Sequence, residues 1–207
     1  MFYQPKNNNH GLPKNPFNSL IVPRPIGWIS SVDTAGNVNL APYSFFNAVS
    51  YKPPAVMFAA GSRGQGEAKK DTVKNIEHTK EFVCNIVTVD TAAQMNMTSA
   101  SVDGESDEMA LAELTAVPSI LVAPPRVAEA PVHLECSYIQ TIEMPWESVE
   151  ERYVIVLGEV IGIHISEAVI TEEGFVDIAR IEPVGRLGYD DYTRIGVDTV
   201  FTMIRPS

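Results

Sequence analysis

Two β-branched runs, Val132-His-Leu-Glu-Cys-Ser-Tyr-Ile-Gln-Thr-Ile142 and Tyr153-Val-Ile-Val-Leu-Gly-Glu-Val-Ile-Gly-Ile-His-Ile165, are separated by only a short loop around Trp146. Their Val and Ile density and partial alternation predict strands. Upstream, residues 26–32 and 38–41 flank Asp33-Thr-Ala-Gly-Asn37 as a hairpin. Residues 55–60 are apolar throughout, as a strand buried on both faces would be, and residues 81–88 form a further strand. These strands mostly follow one another without a helix of βαβ length between them. A doubly wound parallel sheet is therefore disfavoured, and a mostly β, antiparallel barrel with a few covering helices fits the order.

Helical periodicity is confined to two places. One begins at Asp71, with Asp71 or Thr72 as N-cap and Val73 and Ile76 on one face. The other spans residues 91–114, where Ala, Met and Glu predict two short helices around the acidic turn at 103–108, covering one end of the sheet. The first twenty-five residues, rich in Asn, Pro and Lys, read as an extended arm on a single domain spanning 1–207. With 207 residues and 45% apolar content, one core can hold a cofactor site.

The net charge of −11 argues against a nucleic-acid partner. No apolar run reaches the ~20 residues of a membrane span, and the start lacks a signal-peptide core, so a cytoplasmic protein is expected. Cys84 and Cys136 both sit in strand-like segments and read as buried apolar residues. His10, His78, His133 and His164 are too dispersed for a metal site.

Against this acidic background, Gly61-Ser-Arg-Gly-Gln-Gly-Glu-Ala-Lys-Lys-Asp-Thr72 stands out. Gly61 and Gly66 have phosphate-loop spacing, but Glu67-Ala68 follows where Lys and Ser or Thr are required. The dinucleotide fingerprint lacks its third glycine. Ser62, Arg63, Lys69, Lys70 and Thr72 nevertheless gather three positive charges and two hydroxyls at a helix start. That composition suits a phosphate monoester, or else a solvated basic turn. The stretch Asn39-Leu-Ala-Pro-Tyr-Ser-Phe-Phe-Asn-Ala-Val-Ser50 fits neither strand nor helix periodicity, and Pro42 is expected to end the ladder begun before it.

In order, Pro23-Arg-Pro-Ile-Gly-Trp-Ile-Ser-Ser31, Asn39-Leu-Ala-Pro-Tyr-Ser-Phe-Phe-Asn47, Lys70-Asp-Thr72, Glu81-Phe-Val-Cys-Asn85, Pro131-Val-His-Leu-Glu-Cys136 and Pro183-Val-Gly-Arg-Leu-Gly188 resemble the flavin reductase-like, FMN-binding split-barrel family. The resemblance covers nearly the whole chain. It implies a homodimer of six-stranded antiparallel split β-barrels with Greek-key connections, each binding FMN, with FAD as the alternative. It further implies that Trp28, Ser30 and Ser31 lie beside the flavin. Ala41, Pro42, Tyr43, Ser44, Phe45, Phe46 and Asn47 would run along the isoalloxazine edge, and Ser62, Arg63, Lys70 and Thr72 would hold the phosphate. Which of Arg63, Lys69 and Lys70 reaches the phosphate is left open, and His133 and Tyr189 are the candidates beside a nicotinamide. The implied activity is hydride transfer from NAD(P)H to flavin, supplying reduced flavin or electrons to a monooxygenase or other acceptor. The alternative is a flavoredoxin-like electron carrier that holds FMN tightly and does not turn over nicotinamide.

Overall fold

A computed structural model describes residues 1–62, 69–100, 107–145, 148 and 151–206. The arm holds a 3-10 turn at Pro5–Asn7 and a helical turn, α1, at Phe17–Leu20. There follow β1 (Arg24–Pro25), β2 (Gly27–Val32), β3 (Val38–Tyr43), β4 (Phe46–Tyr51), β5 (Pro54–Gly61), α2 (Asp71–Thr79) and β6 (Glu81–Ile86). Helices α3 (Ala92–Met97) and α4 (Glu108–Leu111) precede the short β7 (Ala116–Val117) and β8 (Arg126–Val127). The long β9 (Val132–Glu143) and β10 (Tyr153–Ile165) come next, then α5 (Ile178–Ile181), β11 (Val184–Arg186) and β12 (Tyr192–Arg194).

Among the described residues, seven strands form the main sheet in the order β3-β2-β6-β9-β10-β5-β4, with each neighbouring pair antiparallel. The six strands expected from the sequence are present. The seventh, β4, comes from the stretch that matched no periodicity. Pro42 does not end the ladder as expected: β3 continues past it, with Pro42 opposite Trp28 and Tyr43 opposite Gly27. An edge strand bonds a neighbour on one side only, so it accommodates a residue without an N–H.

Strands β3 and β4 lie at opposite ends of the strand order, yet only Ser44 and Phe45 separate them in sequence. Three Cα steps reach at most about 11 Å. The two edges are therefore drawn together, and the sheet curls into a barrel whose seam is a two-residue corner instead of a ladder. The Ala59 N–H ties that corner to β5 by donating to the Phe45 carbonyl at 2.8 Å.

Both faces of β2 are covered, which is why all six of its residues are buried. Ile29 points into the barrel, where Phe58 and Phe82 meet edge to face at 5.9 Å and α2 seals one end with Val73 and Ile76. Trp28 points the other way, into a second core formed with Leu40, Met95 of α3, Met109 of α4 and Val127. Helix α2 has Lys70 as its N-cap and not Asp71 or Thr72, and the Lys70 side chain makes no capping hydrogen bond. It ends at Lys80, whose left-handed φ of 67° directs its N–H back to the Ile76 carbonyl at 2.9 Å.

The bends in β10 fall at two register shifts against β9, one at Leu157/Gly158 and one at Val160/Gly162. Gly158 is required where the first shift turns the strand over Phe82, because a Cβ there would lie 2.3 Å from the Phe82 ring. Beyond the second shift, Glu135 on β9 is fully buried and clamps the loop that follows β7. Its carboxylate accepts from the N–H groups of Ile120 at 2.8 Å and Leu121 at 2.6 Å, and it meets His164 Nε2 at 2.5 Å.

Replacing Gly158 with Ala forces Phe82 out of a packed core and should cost about 1–3 kcal/mol. The check is a urea titration in which the midpoint falls and the slope is unchanged. Burial opposes the charge on Glu135, but the two backbone N–H groups and His164 outweigh it and hold the carboxyl below the usual carboxylate range. A depressed pKa contributes stability in full above the unfolded value of roughly 4.3 and loses it as pH falls through the folded one. Unfolding measured from pH 7 to pH 3 should show that loss at the acid end. Glu135→Gln should be less stable at neutral pH and less acid-sensitive.

Candidate functional site

The edge strand β3 and the start of α2 form two walls of a cleft of about 150 Å³, and the residues after α3 form the third. Of the residues expected at a ligand site, this cleft brings together Ala41, Pro42, Tyr43, Lys70 and Thr72. Register explains the grouping. Asn39 of β3 donates through Nδ2 to the Thr72 hydroxyl at 2.9 Å and so fixes α2 against the sheet edge.

Tyr43 is buried, with its ring 4.7 Å from Phe58, and its hydroxyl lies beside Thr72 without a hydrogen bond of regular geometry. Burial pushes the phenol well above its ordinary value, so it stays protonated and able to donate. A buried polar atom without a partner is costly, and a ligand acceptor in the cleft would relieve it. Lys70 Nζ stands 5.5 Å from the centre of the Tyr43 ring. Lys69 is engaged elsewhere: both carboxylate oxygens of Glu77 accept from its Nζ at 2.7 Å. Of the basic candidates among the described residues, Lys70 lines the cleft and Lys69 does not, and Arg63 lies outside the described residues.

The far wall was not anticipated. Thr98, Ser99 and Glu108 line it, and Asn39 and Asp71 complete the near side. The Thr98-Ser-Ala-Ser101 hydroxyl run after a helix was the signal available in the sequence. Trp28 does not line the cleft. It is fully buried and donates through Nε1 to Thr98 Oγ1 at 2.9 Å, while that hydroxyl donates to the Met95 carbonyl at 2.8 Å. Trp28 therefore positions the wall from behind. Glu108 accepts from the Leu40 N–H at 3.2 Å, and burial, joined by Asp107 and Asp71, pushes its carboxyl up.

A larger cleft, about 500 Å³, adjoins the first and shares Pro42 and Ser99 with it. Ser44 belongs to this second cleft. The remaining expected residues are dispersed. Ser30 and Ser31 are fully buried; Ser30 donates to the Pro125 carbonyl at 2.5 Å, and Ser31 accepts from Asn75 at 3.3 Å. Phe45 packs between the Arg24 guanidinium and Tyr153, and Phe46 lies in the barrel core. Asn47 is exposed on β4, and Ser62 is half-buried just past the end of β5. His133 lines neither cleft: it is buried, its Nε2 is 2.8 Å from the Val127 carbonyl oxygen, and burial lowers its pKa. Tyr189 lies in the loop between β11 and β12, next to Asp190, which lines the larger cleft.

A model of the flavin reductase like domain matches residues 19–181. A protein of Aquifex aeolicus is 36% identical over 178 residues, covering 84% of this chain and 86% of that one. Among solved structures, nitrilotriacetate monooxygenase component B from Bacillus cereus is 30% identical, with a TM-score of 0.85 over 98% of each chain. The 2-nitrobenzoate 2-nitroreductase of Pseudomonas fluorescens is 27% identical, with a TM-score of 0.84 over 100% of this chain and 99% of that one. With the barrel, its seam and the clefted sheet edge all in place, the chain belongs to the flavin reductase-like, FMN-binding split-barrel family.

Proposed function

We propose that this protein is an FMN-binding oxidoreductase that moves a hydride from NAD(P)H to flavin and hands reduced flavin or electrons to an acceptor. The observation that carries this reading is the smaller cleft. Lys70, Thr72 and the first turn of α2 supply a cation, a hydroxyl and backbone N–H groups at one end, as a phosphate monoester needs. The buried Tyr43 hydroxyl, which has no regular hydrogen bond among the described residues, adds a donor. From there the Pro42–Ser44 backbone leads into the larger cleft, giving a continuous path for a phosphate, a ribityl chain and a ring.

When bound, FMN supplies the hydride-accepting chemistry at its ring N5, so no acid–base pair of protein carboxylates is required. The chain's own residues bind and orient. Lys70 neutralises the phosphate, Tyr43 and Ser99 donate to polar oxygens, and Trp28 keeps the Thr98–Ser99 wall in place through its indole N–H. Asp71 and Glu108 also face this cleft, and burial pushes the Glu108 carboxyl above its usual range.

The likeness to a monooxygenase component suggests an oxygenase as acceptor. A homodimer is supported by a strip of isoleucines. Ile161, Ile163 and Ile165 alternate along β10 past the end of β5 and are 41%, 58% and 39% exposed on one face.

Purified protein supplied with FMN should oxidise NADH or NADPH, followed by the fall in nicotinamide absorbance. A yellow protein that retains FMN through gel filtration yet leaves both nucleotides unchanged would instead be an electron carrier. Lys70→Ala should weaken FMN by about 1.5–3 kcal/mol and leave riboflavin affinity nearly unchanged, since riboflavin lacks the phosphate. In sedimentation experiments Ile163→Glu should shift the protein from dimer to monomer. A wild type that sediments as a monomer would remove the dimer from the proposal.

A further inference from the structure

Strand β4 ends the main sheet, and among the described residues no strand pairs with its outer edge. Its faces are open as well: Phe46 is buried, and every residue from Asn47 to Tyr51 is exposed. Free edges are templates for another chain, and proteins usually guard them with charged residues, proline or a bulge. Phe46-Asn-Ala-Val-Ser-Tyr51 contains no charge and no proline, and its one guard is the register shift between Ala48 and Ser50. Val49 and Tyr51 hold large side chains in solvent, Tyr51 with 84% of its surface free.

A second segment of the chain is unsatisfied in a complementary way. The turn at residues 196–199 closes on itself, with the Thr199 N–H donating to the Gly196 carbonyl at 3.0 Å. Past it, the backbone of residues 200–206 makes no hydrogen bond with the other described residues. Val200-Phe-Thr-Met-Ile204 is rich in β-branched and aromatic residues, a composition that suits a strand. Phe201, Met203 and Ile204 are nevertheless 79%, 83% and 90% exposed. Large apolar side chains gathered in water mark an interaction surface.

One chain thus carries an unpaired strand edge and an unpaired strand-forming segment, and within that chain the two do not meet. We infer that the outer edge of β4 receives residues 200–204 of a second copy of this chain as an added strand, each copy giving one segment and taking one. Main-chain hydrogen bonds along the edge supply affinity, and the alternating side chains supply register. A reciprocal exchange closes about a twofold axis, so no edge is left to recruit a third copy. The isoleucine strip agrees with this placement. Tyr51 pairs with Pro54 at the start of β5, and it is past this end of β5 that β10 carries Ile161, Ile163 and Ile165. The free edge and the strip therefore lie at the same end of the sheet. The inference rests on the homodimer proposed above and on none of the flavin chemistry.

The test joins Val49→Cys with Phe201→Cys, Thr202→Cys or Met203→Cys in separate double variants, oxidises each under native conditions, and maps the linkages by gel electrophoresis and peptide mass spectrometry. Cys84 and Cys136 are buried, so the introduced thiols are the reactive ones. At least one variant should give a dimer-sized product joined between residue 49 and the 201–203 segment. In sedimentation experiments, Phe201→Asp combined with Met203→Asp should raise the dimer dissociation constant about tenfold or more, with circular dichroism unchanged. The inference is overturned by dimers that form no such linkage, by a linkage within one chain, or by a doubly Asp-substituted protein that associates as wild type does. In that last case, dimers lost in Ile163→Glu leave the homodimer standing on the isoleucine strip alone. Dimers that survive Ile163→Glu and carry the linkage remove the strip and keep the exchange. A monomeric wild type removes both.

Discussion

The structure depends on one short connection. Ser44 and Phe45 join the two strands that lie farthest apart in the sheet, and a link that short requires the sheet edges to meet. Closing them with a corner instead of a ladder leaves β3 as an edge, which accommodates Pro42 and leaves backbone and side chains free to face a ligand. The cleft is thus a consequence of how the barrel closes. Helix α2, docked on that edge through Asn39 and Thr72, brings Lys70 to it.

A second consequence concerns burial. A sheet that curls around one core and is covered by helices on its outer side has strands with no solvent face. Strand β2 shows the outcome: neighbouring residues Trp28 and Ile29 serve different cores. Buried polar groups in such a strand must find partners inside. Ser30 and Ser31 do so, bonding to Pro125 and Asn75, and this makes them parts of the framework around the cleft instead of its lining. The same logic puts Trp28 behind the cleft wall, which it holds through Thr98.

Much of the architecture was legible in the chain. The long runs that became β9 and β10, the Asp33–Asn37 turn and the apolar face of α2 all follow local rules of side-chain period and turn chemistry, and those rules act over a few residues. The basic, hydroxyl-rich approach to α2 was legible too. Strand β4 was not, because its exposed residues carry no alternation, and it is a strand only through its pairing with β5. Nor were Thr98, Ser99 and Glu108, which reach the site from segments roughly thirty or more residues from Lys70 in sequence.

The amino-acid sequence by itself determined six of the seven main-sheet strands, the antiparallel class and the family, because these rest on periodicity, spacing and ordered motifs read along the chain. Only the tertiary structure decided which residues share a cavity. It separated Lys70 from Lys69, sent His133 away from both clefts, and set Arg186 against Tyr192 beside Pro42 and Ser44. The physical reason is that a site is assembled by closure and cross-strand register. In this protein both are set by the short Ser44–Phe45 corner and by long-range burial, neither of which leaves a local signature.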